Sequence, residues 1–153
     1  KTELVLQKRK RYVNFFENDS TLSLVSGVKD LIQFLHKQNL TLVLASSSAM
    51  VNINRVFSRF DLNQYFTAKI SGADLTASKP HPEIFEKAAI LGGVSKELCI
   101  VIEDSDNGIE AANKAGIYAV GYKNPLVNDQ TLKNADLIIK DYNKLKKYIV
   151  DFQ

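Results

Sequence analysis

The chain has 153 residues, 45% of them hydrophobic and 24% charged, with a formal net charge of +3. That length and balance suit one domain with its own packed core, and they exclude a low-complexity or strongly charged disordered chain. No apolar run nears the roughly 18 residues of a membrane span, no signal peptide is visible, and the lone Cys99 excludes an internal disulfide. A reducing cytoplasm is therefore the expected compartment. Basic residues gather in Gln7 to Arg11 and in Lys144 to Lys147. With no aromatic ladder beside them, both runs read as solvated helix faces rather than a nucleic-acid surface.

The chain opens on "KTELVL", already helix-like and without an initiator Met, as a fragment would. Residues 2–18 carry Leu4, Leu6, Val13 and Phe16 among charged neighbours and predict a helix; "ENDSTLSLVSG" then reads as a linker. Val28, Leu31, Ile32 and Leu35 recur at helical spacing and predict an amphipathic helix. "LTLVLA" (40–45) predicts a buried strand. A helix with Ile53, Val56, Phe57 and Phe60 follows, then a short strand at 65–70. Pro82 suits the first turn of the next helix, and Gly92 and Gly93 suit its end. "LCIVI" (98–102) is the clearest strand. A helix from about Asn107 to Gly116, strands at 117–122 and 135–140, and a closing helix complete the order. Strands alternating with helices imply βαβ crossovers and a parallel α/β sheet.

In such a sheet, ligands bind beyond the carboxyl ends of the strands. Ser46 follows the strand at 40–45, Lys79 precedes the Pro82 helix, and Glu103 and Asp104 follow the strand at 98–102. Each has a plain alternative. Ser46, Ser47 and Ser48 could cap the next helix, Lys79 could be a surface lysine, and the acidic pair could be a solvated strand end. Taken together and in order, they make a phosphate-plus-magnesium site. Serine hydroxyls and helix-start amides suit a phosphate, a lysine neutralises it, and carboxylate oxygens suit Mg²⁺. His81, between two prolines, and His36, on the polar side of its helix, are expected to take no part.

"LVLASSS", "SKPHPEIF" and "VIEDSDNGIEAANKAG" resemble the second, third and fourth motifs of the haloacid dehalogenase superfamily. The resemblance is to the subgroup holding β-phosphoglucomutase and small sugar-phosphate phosphatases, and it runs from about Ser26 to near the C-terminus. It implies a Rossmann-like parallel sheet with flanking helices over residues 21–153. Residues 1–20 would be the remnant of a helical cap that closes over substrate. It implies that Ser46 binds the transferring phosphoryl group, with Ser47 beside it. Lys79 would stabilise that group, Glu103 and Asp104 would hold Mg²⁺, and Ser105 and Asn107 would shape the loop. The family's "DxDG" motif, which brings the nucleophilic aspartate and the acid/base on the first strand, has no counterpart here. "DSDNG" (104–108) has similar spacing but already stands as the fourth motif.

The implied activity is that of a Mg²⁺-dependent phosphatase. It acts on a small phosphorylated metabolite such as a sugar phosphate, through an aspartyl-phosphate in the complete protein. A phosphomutase is the alternative; Asn14, near the position of a mutase cap lysine, favours hydrolysis. As it stands the chain is expected to be inactive, a fragment or a binding module. The absent strand would lie between those at 40–45 and 98–102, so an N-terminal segment or a second chain is expected to complete the sheet.

Overall fold

The computed structural model describes residues 2–151. Lys1, Phe152 and Gln153, the outer ends of the two expected segments, lie outside the described residues, as do the side chains of Lys8 and Arg9 in the first basic run.

The helices are α1 (Thr2–Asn18), α2 (Val28–Lys37), α3 (Met50–Arg59), α4 (Glu83–Gly92), α5 (Asp106–Ala115) and α6 (Tyr142–Asp151). The strands are β1 (Val43–Ser46), β2 (Ala68–Ser71), β3 (Ile100–Glu103), β4 (Tyr118–Tyr122) and β5 (Leu137–Ile139). All strand pairs are parallel, as the alternating order requires. The strands form two hydrogen-bonded groups, β1–β2 and β3–β4–β5. β1 and β3 are not paired with each other, so each has an edge without a strand partner among the described residues.

Helices cover both faces. Leu31 and Leu35 of α2 pack with Tyr142 and Leu145 of α6 against Val120, Tyr122 and Ile139. Ile53 and Phe57 of α3 pack over Leu44 on the same side. On the other face, Ile84 and Phe85 of α4 and Ile109, Ala111, Ala112 and Ala115 of α5 cover Ile70, Val101 and Ala119. Full burial of an Ile or Leu such as Ile84 or Leu145 stabilises the fold by roughly 1.5–3 kcal/mol relative to exposure. Helix α4 packs on β1, β2 and α5, and α5 in turn packs on β3 and β4.

Local chemistry sets the ends. Gly27 precedes α2 at φ 79 and Gly93 ends α4 at φ 65, a left-handed backbone that costs glycine nothing. Helix α1 is tied to the body by Arg59, whose guanidinium donates to the carbonyls of Phe16 and Asp19 and lies 5.3 Å over the Phe16 ring.

Two expectations need correction. The strands begin later than the apolar runs: residues 40–42 precede β1, and Lys96–Leu98 form a 3₁₀ turn before β3 with Leu98 78% exposed. β1, expected to be buried, is only half-buried along its length, and β3 is open on one face. Val101 is covered by α4 and α5, but Ile100 and Ile102 point to the other side and are 47% and 38% exposed. They lie at the edge where β3 has no neighbour, so side chains of buried character face an open position.

Candidate active site

The sheet brings three of the expected groups to one end. Ser46 is the last residue of β1 and Glu103 the last of β3. Lys79 lies in the loop between β2 and α4. Its ammonium ion-pairs with Glu103 Oε1 and donates to the carbonyl of Ala45 at 3.4 Å. It also lies 4.8 Å over the ring of Phe85. The Lys79 and Glu103 side chains are each only 10% exposed. Lys79 is thus no ordinary surface lysine. It is drawn in by a carboxylate, a carbonyl and an aromatic face, each of which suits a cation.

Glu103 is fully engaged. Its Oε2 accepts from the backbone amides of Asp104 (3.0 Å) and Ser105 (3.1 Å) and from the Ser105 hydroxyl (2.9 Å). The Ser105 oxygen in turn accepts from Gly108 N at 3.1 Å and caps α5. Ser105 thus links Glu103 to the start of α5. Asn107 lies in the first turn of α5 with its side chain exposed. Asp104 is exposed, and its carboxylate has neither hydrogen bond nor ion pair among the described residues. The adjacent acids thus have different environments, Glu103 facing Lys79 and Asp104 facing solvent.

The serines do not act as a cap. The residue before α3 is Ala49, with no side-chain capping bond. Ser46 Oγ accepts from Ser48 N at 3.2 Å, and Ser47 and Ser48 are exposed. The first amides of α3 therefore lack a side-chain acceptor, an arrangement that favours an anion.

Several residues around the site gave no sequence signal. Gln130 is buried; its amide nitrogen donates to the carbonyls of Asp104 (2.6 Å) and Tyr122 (3.4 Å), and its oxygen accepts from Asn124 N at 2.8 Å. Asp106 Oδ1 accepts from the Thr131 hydroxyl at 2.8 Å and from Leu132 N at 2.6 Å. The Thr131 hydroxyl first, and then the Leu132 amide, hold the Asp106 carboxyl below its ordinary value of 3.8. A polar residue in a polar loop does not announce such a role. The imidazole of His81, expected to be uninvolved, accepts from Glu83 N at 3.2 Å and caps the start of α4.

Hard oxygen donors of this kind fit Mg²⁺. Asp104 has free carboxylate oxygens at a strand tip, whereas those of Glu103 are taken. Among the described residues, no three His, Cys, Asp or Glu side chains form a group that could hold a metal. Asp104 thus presents the unengaged carboxylate at this strand tip, while both oxygens of Glu103 are occupied by Lys79 and the loop.

A model of the haloacid dehalogenase-like hydrolase family matches residues 1–122. The chain belongs to this family. It is 32% identical over 145 residues to the β-phosphoglucomutase of Bacillus subtilis (strain 168), covering 95% of this chain and 62% of that protein. It is 31% identical over 128 residues to hexitol phosphatase B of Escherichia coli (strain K12), covering 83% of this chain and 58% of that protein. The crystal structure of a β-phosphoglucomutase from Clostridium difficile superposes with a TM-score of 0.83 at 28% identity, covering 98% of this chain and 65% of that one. The haloacid dehalogenase-like chain therefore spans about three-fifths of the length of these curated relatives. Its parallel α/β architecture is that of the family's Rossmann-like phosphatases and mutases. No helix among the described residues is long and apolar enough to cross a membrane.

Proposed function

We propose that the protein to which this chain belongs is a Mg²⁺-dependent phosphatase of small phosphorylated metabolites, such as sugar phosphates, working in the cytoplasm. The observation that carries this reading is the Lys79 ammonium, held between Glu103 and the carbonyl of Ala45, next to Ser46 and the uncapped start of α3. Lys79 neutralises the phosphoryl group while Glu103 fixes the ammonium in place. Ser46, with Ser47 beside it, and the first amides of α3 orient the phosphoryl oxygens. Asp104 holds the metal, which when bound balances charge on the transferring group.

The nucleophile in this reading is an aspartate on a strand seated between β1 and β3. Its carboxylate forms the new bond to phosphorus as the bond to the substrate oxygen breaks, and a second acid there protonates the departing oxygen. The open edges of β1 and β3 and the exposed Ile100 and Ile102 support a strand in that place. Without it the chain is inactive. Residues 1–20, including α1, belong to a substrate-covering cap in this reading, and residues 21–153 to the core.

The similarity to a β-phosphoglucomutase favours a second reading, a phosphomutase. Asn14, whose side chain pairs with Asn18 at 2.8 Å, supplies no cation for a second phosphate. Assay of the full-length protein on a phosphosugar panel tests both readings. Release of inorganic phosphate supports hydrolysis, and isomerisation of glucose 1-phosphate without release supports the mutase. Asp104→Asn is expected to abolish Mg²⁺-dependent turnover; unchanged activity would remove Asp104 from the metal site.

A further inference from the structure

Among the described residues, one buried polar side-chain atom lacks a partner: the hydroxyl of Ser71. Ser71 is 2% exposed and ends β2. A buried hydroxyl without a hydrogen bond costs about 1–3 kcal/mol, so its position calls for a reason.

That position is beside the phosphoryl-binding serine. β1 and β2 are parallel, with Ser46 and Ser71 register partners at their carboxyl ends. Their side chains lie on one face. Leu44, two residues before Ser46, packs with Ile53 and Phe57 of α3. Lys69, two before Ser71, reaches Asn54 of the same helix at 2.9 Å. Alternation along each strand puts Ser46 and Ser71 on the α3 face as well, close to where that helix begins without a side-chain cap. Strand neighbours are about 4.8 Å apart, so two serine hydroxyls at register positions on one face come within reach of each other when their rotamers turn inward. The next residue closes the approach. A Cβ on Gly72 would lie 3.1 Å from Ser47 Cα and 3.3 Å from the Ser46 carbonyl oxygen, so the β2 tip is packed directly on the serine turn.

We infer that Ser71 is a positioning residue for Ser46: in the ligand-bound state its hydroxyl donates to Ser46 Oγ, which turns the Ser46 proton towards a phosphoryl oxygen. The inference rests on the phosphoryl-site reading above. In the structure Ser46 Oγ accepts from the Ser48 amide at 3.2 Å, and the Ser71 hydroxyl has no partner among the described residues. With an anion, Ser46 donates outward and its oxygen accepts from Ser71 within. The unpartnered hydroxyl is then a donor reserved for the bound state.

The test is a double-mutant cycle in the full-length protein, titrated with inorganic phosphate by calorimetry. Ser71→Ala is expected to weaken phosphate binding about three- to tenfold, the worth of one neutral hydrogen bond. In a Ser46→Ala background the same change is expected to add almost nothing. The unfolding midpoint of ligand-free Ser71→Ala is expected to hold or rise, because an unpaired buried hydroxyl has been removed; a structural role would lower it. An unchanged Kd in Ser71→Ala, a full additive loss in the double variant, or a lowered midpoint overturns the inference. Wild-type protein that does not bind phosphate, or Ser46→Ala that binds as tightly as wild type, overturns the phosphoryl-site reading itself.

Discussion

Gly108 and Glu103 occupy one space: a Cβ at position 108 would overlap the carboxyl carbon and both oxygens of Glu103. Gly108 is in the first turn of α5, where alanine would ordinarily stabilise a helix by up to about 1 kcal/mol. Here the sign reverses. Gly108→Ala must displace the Glu103 carboxylate from Lys79 and from the donors of Asp104 and Ser105. A net destabilisation of about 1–3 kcal/mol is expected from the lost Glu103 contacts, read by urea unfolding. An equally stable variant would mean that the loop yields freely.

Breaking the Lys79–Glu103 pair from one side leaves a shielded charge without its partner. Lys79→Met is expected to cost on the order of 3 kcal/mol. Adding Glu103→Gln should recover most of that loss, since the carboxylate is then neutral while its oxygen still accepts from the loop. Chemical denaturation of the two single variants and the double variant measures the coupling. Additive losses would show the contact to be incidental.

Gln130→Leu keeps a similar volume and removes every hydrogen bond the side chain makes. It leaves the Asn124 amide and the Asp104 carbonyl without their partner. A loss of about 1–3 kcal/mol is expected, with faster amide hydrogen exchange at Asn124. Unchanged exchange there would remove Gln130 as the clasp of the Asp104 loop.

The lowered pKa of Asp106 has a definite sign. A carboxyl held below its ordinary value in the folded state adds stability above the unfolded value, and that stability is lost as pH falls through the folded value. The window therefore opens near the ordinary 3.8 and extends below it. Asp106→Asn is expected to flatten the acid limb of the stability curve in that window, relative to wild type. An unaltered limb in acid-unfolding titrations would assign the acid sensitivity to other carboxyls.

Much of the fold was legible because burial repeats along the chain. Leu31 and Leu35 are both buried at the spacing that predicted α2, and Gly93 ends α4 where a stop was expected. The start of β3 was not legible. Leu98 and Cys99 are as apolar as Ile100 and Val101, and composition cannot distinguish a 3₁₀ turn from a strand within one apolar run. At the site, Ser46, Lys79 and Glu103 were findable because each follows or approaches a strand end. Gln130, Asp106 and Ser71 were not, because their roles depend on which distant backbone or side-chain atom comes within reach. The side-chain hydrogen bonds of this loop come from Glu103, Ser105 and Gln130, and among the described residues none comes from the exposed Asn107.

The break between β1 and β3 has a mechanical consequence. Lys79 enters from the β2 side and grips Ala45 of β1 and Glu103 of β3 together, at the ligand end of the strands. No other ion pair among the described residues crosses the break. Among the described residues the lysine is thus the tie-bar between the tips of the two strand groups. The same charge that the proposed reading gives to the ligand therefore also holds the ends of β1 and β3 at a fixed distance from each other.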